Sequence, residues 1–124
     1  MGFQRFLSAV QRDEPIHVYG DGEQTRDFTF VSDIVAATIA AGTRGVPGRV
    51  YNIGGGSRVT LNHVLDLIRK VTGRKVRSHG EPDQKGDMRH TYADTSAARR
   101  DLGFVPRVSL EEGLAQQYRW ITNA

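Results

Sequence analysis

A glycine-containing turn early in the chain places one arginine where it could bind a phosphate group. Residues 18–26, VYGDGEQTR, predict a strand that ends in a tight turn, because glycine tolerates the positive φ angles of such turns. The guanidinium of Arg26 offers a rigid fork of N–H donors that matches the oxygens of a phosphate. The alternative is a salt bridge from Arg26 to the adjacent Asp27 or to another carboxylate. The spacing alone leaves both possibilities open.

Three consecutive glycines form a second candidate for ligand contact. They lie in the segment 52–57, NIGGGS, where exposed backbone amides could donate to an anion. The segment is not a dinucleotide-binding fingerprint, because Val59 stands where the pattern G-x-G-x-x-G requires its last glycine. No Gly-Lys-Ser or Gly-Lys-Thr follows it either. A flexible connection between a strand and a helix is the alternative.

A third candidate is the polar segment 86–94, GDMRHTYAD. Asp87 could accept hydrogen bonds from two ribose hydroxyls, Arg89 could pair with a phosphate, and Tyr92 could form a pocket wall. Each residue type is common on protein surfaces, so none of the three identifies a site by itself.

Metal binding and nucleophilic catalysis find little support in the sequence. The four histidines share no i, i+4 spacing and have no accompanying carboxylate pattern, so no metal site is expected; they are His17, His63, His79 and His90. The chain has no cysteine, which excludes disulfides and thiolate ligands. It has no G-x-S-x-G elbow, although a Ser/His/Asp triad is geometric and stays open.

Composition predicts one soluble domain over residues 1–124, with 38% hydrophobic and 25% charged residues. The longest mostly apolar run, 34–41, is far shorter than the ~20 residues that span a bilayer. No secretion signal is recognisable, so we expect a cytoplasmic protein that is not bound to a membrane. The net charge is +3, but the basic residues alternate with acidic ones and lack interleaved aromatics, so nucleic acid is not an expected partner.

Helical and extended patterns alternate along the chain and predict an α/β fold with about five helices and three short strands. Helices are expected from Phe3, from Ser32 or Asp33, from Leu61, after Asp94, and from Leu110. Thr60 and the capping box 109–112 mark two helix starts, and Gly73 and Gly103 mark two ends. The strands are expected at 16–19, 50–53 and around 75–78.

Read in order, these segments resemble the C-terminal part of the extended short-chain dehydrogenase/reductase family. The resemblance is to the NAD-dependent nucleotide-sugar epimerases and dehydratases, with UDP-glucose 4-epimerase as the nearest type. It covers essentially the whole chain and rests on the segments 16–22, 26–28, 51–54, 86–87, 93–96, 102–106 and 110–120, with Val31 and Asp33.

The resemblance implies a role for several residues in the smaller, substrate-binding half of such an enzyme. The position of Arg26 contacts the diphosphate of a nucleotide-sugar, and that of Asp87 binds the ribose. The strand from His17 to Tyr19 lies along the base and offers backbone groups. Asp27 and Asp33 are expected to be structural, orienting the arginine and starting a helix.

The chain departs from the family pattern at the second phosphate contact. Many relatives have an arginine three residues before the ribose-binding aspartate, where this chain has Gln84. A glutamine carries no charge, and Lys85 is a hydrated point charge without a bidentate fork. Either Lys85 or Arg89 substitutes for the missing arginine, or the diphosphate is held less tightly.

The catalytic parts of the family are not found in these 124 residues. Family enzymes bind NAD on an N-terminal Rossmann half and use a Tyr-x-x-x-Lys pair for proton transfer. Here the residues four positions after the four tyrosines are Glu23, Gly55, Ser96 and Thr122. No cofactor is therefore expected in this chain, and NAD is expected only together with a Rossmann half.

Three functions stay open at this point. The chain could be the nucleotide-sugar-binding half of such an enzyme, inert by itself. It could instead be an interaction module that self-associates, or docks on a separate Rossmann chain, through apolar surface left uncovered. In the third case, a Rossmann partner chain would restore enzymatic activity.

Overall fold

Helices and short strands alternate through the residues that the structure, a computed structural model, describes: 2–56 and 58–123. In chain order they are α1 (Phe3–Gln11), β1 (Ile16–Tyr19), β2 (Thr25–Arg26), α2 (Val31–Arg44), β3 (Val59–Thr60), α3 (Leu61–Thr72), β4 (Ser78–Glu81), α4 (Ser96–Leu102) and α5 (Leu110–Asn123). This agrees with the predicted α/β class and its five helices.

The strands form two small sheets that lie at the two ends of the glycine-containing turn. β1 pairs in parallel with β4, from Ile16 opposite Ser78 to Tyr19 opposite Glu81. β2 pairs antiparallel with β3, so that Arg26 lies opposite Val59. The turn between β1 and β2 is therefore anchored on both sides by pairing with later parts of the chain.

The larger core is formed by α1, α3 and α5, which pack against one side of β1. Leu7, Val64, Ile68 and Leu114 are each at most 1% exposed. Burial of such a side chain contributes about 1.5–3 kcal/mol relative to leaving it in water. This core holds β1 and the start of α3, which carry part of the candidate site.

A smaller core joins α2 to α4 around Ala37, Ala98, Leu102 and Phe104. Two α2 residues are buried: Ala37 in this core, and Asp33 against the loop before α5. Most of the apolar surface of α2 is consequently exposed to solvent.

The strand predictions needed correction. Residues 50–53 have the composition of a strand, but no described strand pairs with them and Val50 is 84% exposed. The third predicted strand forms three residues later than expected, at 78–81. β2 and β3 were not predicted, because each is two residues long and too short to show an alternating pattern.

Most of the predicted helix ends are confirmed. Thr60 Oγ1 accepts a hydrogen bond from the amide of His63, 3.1 Å away, and Gly73 and Gly103 are left-handed with φ of 65° and 64°. Asp33 is structural, as predicted, but it does not start α2. The helix begins at Val31, before both predicted starts, and the buried carboxylate of Asp33 accepts hydrogen bonds from the amides of Arg107 and Val108 in the loop before α5.

Candidate functional site

The turn after β1 has a backbone conformation that requires glycine at two positions. Gly20 and Gly22 have φ of +74° and +78°, and a Cβ on Gly22 would collide with the side chain of Asn62. Asn62 lies in the first turn of α3; its amide donates to the carbonyl of Gly22 and its Nδ2 to Glu23 Oε1, at 2.9 and 2.6 Å. The buried start of α3 thus determines where the turn directs the following residues.

Arg26 is held in one orientation by three hydrogen bonds. Its Nη1 donates to the carbonyls of Thr25 and Arg89 at 2.7 and 3.2 Å, and its Nη2 donates to Asp87 Oδ1 at 2.7 Å. Its side chain is 16% exposed. The two residues that the family resemblance assigned to diphosphate and ribose are therefore direct neighbours, although they are 61 positions apart in the sequence.

The expectation that Asp27 orients this arginine is wrong. Both carboxylate oxygens of Asp27 are buried and have no hydrogen-bond partner in the part of the chain that the structure describes. They lie instead against the glycine run: a Cβ on Gly54 would be 2.5 Å from Asp27 Oδ2 and 2.8 Å from the Cβ of Ala93.

This packing assigns the glycine run a different role from phosphate binding. The space beside Gly55 is filled by the carbonyl of Phe28, with Asp27 Oδ1 close by. A carboxylate at this position would repel an anion rather than attract one. The glycines at 54 and 55 permit close approach of the segments that contain Asp27, Phe28 and Ala93, a role that the sequence did not suggest. Ser57, the last residue of the predicted segment, lies outside the described residues.

A cavity of about 780 Å³ opens beside Arg26, between α1, β1 and the loop before Asp87. This volume is in the range of small-molecule sites. Four of the predicted site residues line it: His17, Tyr19, Arg26 and Asp87. The fold has thus brought together residues from three separate parts of the sequence around one cavity.

β1 presents its polar side to this cavity because its side chains alternate. Ile16 and Val18 are buried in the core, whereas His17 and Tyr19 are exposed on the opposite face. The amides of Ile16 and Gly20 donate to the strand that contains β4, so the backbone groups of His17 and Tyr19 point to the other edge.

Side-chain contacts fix both ends of this polar face. His17 Nδ1 lies 3.0 Å from Glu81 Oε1. The carbonyl of Tyr19 accepts a hydrogen bond from Gln24 Nε2 at 2.9 Å, while the Tyr19 side chain stays 46% exposed. An aromatic ring exposed at the mouth of a cavity can stack on a planar ligand group.

Arg89 and Lys85 are not brought to the main cavity. Arg89 lines an adjoining cavity of about 210 Å³ together with Tyr19 and Asp87, and it contacts Asp21 through both of its terminal nitrogens, at 3.0 and 3.3 Å. These hydrogen bonds, followed by one from the amide of Glu23, lower the pKa of Asp21. Lys85 is exposed and lines neither of the two cavities. Tyr92 is 56% exposed, with the guanidinium of Arg58 5.3 Å from the centre of its ring.

Three polar cavity residues were missed in the sequence analysis: Arg5, Glu14 and Gln24. Gln84, at the second phosphate position of the family pattern, also lines the cavity. Gln24 is only 7% exposed, so it is a buried polar side chain whose hydrogen bond to β1 could not be anticipated from a pattern. Arg5 follows the helical spacing of α1, but nothing in that spacing indicates what its polar side faces.

Most of the chain matches one protein-family model. The model of the GDP-mannose 4,6 dehydratase family matches residues 3–117. The chain belongs to this family. Among the curated members, the UDP-glucuronate 4-epimerase of Thermodesulfobacterium geofontis is 33% identical over 121 residues, which cover 97% of this chain and 37% of the relative. The chain therefore spans little more than a third of the length of that epimerase.

Solved structures of related epimerases agree with the fold. UDP-glucuronic acid 4-epimerase from Bacillus cereus, solved with UDP-glucuronic acid and NAD, has 33% identity and a TM-score of 0.93, covering 99% of this chain and 40% of that one. UDP-glucose 4-epimerase from Thermotoga maritima, solved with UDP-glucose, has 36% identity and a TM-score of 0.92, covering 98% and 39%. The predicted resemblance to the C-terminal part of nucleotide-sugar epimerases is confirmed.

Within residues 2–56 and 58–123, no helix combines the length and the apolar character needed to cross a membrane. In the same residues, no group of three or more metal-ligating side chains is arranged to hold an ion.

Proposed function

We propose that this chain is the nucleotide-sugar-binding part of an NAD-dependent epimerase or dehydratase, and that its ligand is a UDP-sugar in the cytoplasm. The observation that carries the proposal is the Arg26–Asp87 pair at 2.7 Å in a cavity that Tyr19 also lines. The related epimerases solved with UDP-glucose and UDP-glucuronic acid support the choice of ligand.

In this proposal each part of the nucleotide has a chemically matched contact. The guanidinium of Arg26 binds the diphosphate. Its hydrogen bonds to the backbone carbonyls of Thr25 and Arg89 hold its orientation before the ligand binds. Asp87 is 43% exposed at its side chain and accepts hydrogen bonds from the ribose hydroxyls. The base lies along β1, against the polar face formed by His17 and Tyr19.

The chain's own residues supply binding but no hydride or proton transfer. NAD supplies the hydride acceptor in such enzymes when it is bound on a Rossmann half. The described residues do not fit a dinucleotide at the glycine run, because Asp27 and the Phe28 carbonyl fill the space beside it. We therefore propose that the chain is inert by itself, and that a partner chain carrying NAD and a general base would restore activity.

Isothermal titration calorimetry with UDP tests the proposed function. Arg26→Ala removes a charged hydrogen-bond donor, so we expect at least about a tenfold loss of affinity. Arg49→Ala is the matched control, because it breaks another arginine–aspartate pair, 2.6 Å to Asp101, away from the cavity. No heat and no competition at millimolar UDP for the unmodified chain would contradict the proposal, as would equal affinity of the two variants.

An interaction module is the second proposal, and the uncovered apolar surface favours it. α2 exposes the apolar side chains of Val31, Val35 and Ile39, at 65%, 51% and 64%. Val50, in the loop that follows α2, is 84% exposed. Val31 also lines an apolar groove of about 480 Å³ formed with Phe28, Phe30 and α5. Contiguous exposed apolar surface of this kind marks interfaces.

This module would self-associate or dock on a separate Rossmann chain. Small-angle scattering at increasing concentration is the test, because self-association raises the apparent mass. Val35→Asp places a charge on the apolar face and should restore a monomer. A monomeric profile of the unmodified chain at high concentration would refute self-association, and failure to bind an added Rossmann chain would refute docking.

A further inference from the structure

The nucleotide cavity contains more charge than the Arg26–Asp87 pair. Its lining also includes Arg5 from α1 and Glu14 from the segment before β1. Arg26 is already compensated by Asp87 at 2.7 Å, so the remaining positive charge in the lining is that of Arg5. A diphosphate carries more negative charge than one paired arginine can balance.

Arg5 is held at the cavity by its position on α1. Gly2 and Ala9, three residues before and four residues after it, line the same cavity, so this side of the helix borders it. The same side also borders a second cavity, which Arg12 lines and Arg26 does not. The adjacent Phe6 and Leu7 are buried in the core and fix the rotation of the helix. The Arg5 side chain has no hydrogen-bond or ion-pair partner among the residues that the structure describes, which leaves its guanidinium available.

The other basic residues near the site are less suitable. Arg89 contacts Asp21 through both terminal nitrogens and lines the smaller cavity, not the larger one. Lys85 lines neither cavity. Among the described residues, the arginine and lysine side chains that line the larger cavity are therefore those of Arg5 and Arg26, and not those of the loop that contains Lys85 and Arg89.

We propose that Arg5 is a second cationic contact for the phosphates of the bound nucleotide, acting together with Arg26. This inference rests on the proposed function. Because Arg5 contacts only phosphate, it contributes to the affinity for nucleotides and not to that for the nucleoside. Its contribution decreases as salt increases, since the side chain is exposed and the interaction is screened.

Calorimetric titration of the full chain with UDP, UMP and uridine tests this assignment. Arg5→Gln should weaken UDP binding about tenfold at low salt and leave uridine binding unchanged. Arg12→Gln is the matched control, because Arg12 lies at the end of the same helix but does not line the cavity. Its affinity for all three ligands should equal that of the unmodified chain.

Different results separate the failure of this inference from that of the proposed function. If the unmodified chain binds UDP and Arg5→Gln binds it equally well, the role of Arg5 is refuted while the nucleotide site stands. Equal losses for UDP and uridine also refute it, because Arg5 would then act on the shape of the cavity. If the unmodified chain binds no UDP, the proposed function fails and the inference fails with it. Circular dichroism of each variant checks that the helices are intact.

Discussion

Replacement of Gly54 by alanine tests the unexpected packing of the glycine run. The added Cβ would lie 2.5 Å from Asp27 Oδ2 and 2.8 Å from the Cβ of Ala93. Both distances are shorter than van der Waals contact, and Gly54 itself is buried. Its φ is not positive, so the cost comes from steric overlap and not from backbone strain. Overpacking of this kind destabilises a protein by about 1–3 kcal/mol.

Gly42→Ala is the matched control because it adds the same methyl group in open space. Gly42 lies inside α2, and nothing is within 4 Å of the position of its Cβ. Alanine is favoured over glycine within a helix by about 1 kcal/mol, so this variant should be more stable than the unmodified chain. The two alanine variants should therefore differ by about 2–4 kcal/mol in the free energy of unfolding.

Urea denaturation followed by circular dichroism measures this difference. Equal stability of Gly54→Ala and the unmodified chain would refute the packing of Gly54 against Asp27. A second measurement separates packing from ligand contact. Under conditions where Gly54→Ala is folded, its UDP affinity should be unchanged. A loss of affinity in the folded variant would indicate that the glycine run contacts the ligand.

Three further predictions concern charge and capping. The hydrogen bond from Arg49 lowers the pKa of Asp101 below the usual 3.8, so its stabilisation is complete above that value and is lost as the pH falls through the folded-state pKa. Asp101→Asn should accordingly flatten the decrease of the urea midpoint under acidic conditions. Thr60→Ala removes the cap on the His63 amide and should cost about 1 kcal/mol in a denaturation experiment. Glu14→Gln removes a negative charge from the cavity lining and should tighten UDP binding but not uridine binding.

The helices could be predicted from local sequence features, and the main candidate site residues from the family resemblance. The buried side of α3, with Val64 and Ile68, follows the 3.6-residue period, and its cap and terminating glycine are local signals. Arg26 and Asp87 were identified through the family resemblance, and the structure places them 2.7 Å apart.

The remaining features depend on contacts between distant parts of the chain. Residues 50–53 have strand-forming side chains, but a strand also needs a pairing neighbour, which the described residues do not supply. The sequence places Asp27 beside Arg26 and so predicts a contact between them, whereas in the fold the carboxylate of Asp27 lies against Gly54. Arg5 joins the cavity only because α1 packs beside β1, and a helical period does not identify what its polar face meets.

The location of the ligand is the most direct test of the central claim that this chain binds a nucleotide-sugar. Backbone amide chemical shifts of the ¹⁵N-labelled chain should be recorded during titration with a UDP-sugar. We expect the largest shifts at residues 17–19, at Arg26 and at Asp87, with small ones along the exposed face of α2. An unchanged spectrum at millimolar ligand, or shifts confined to α2 and to the groove at 28–31, would contradict the claim.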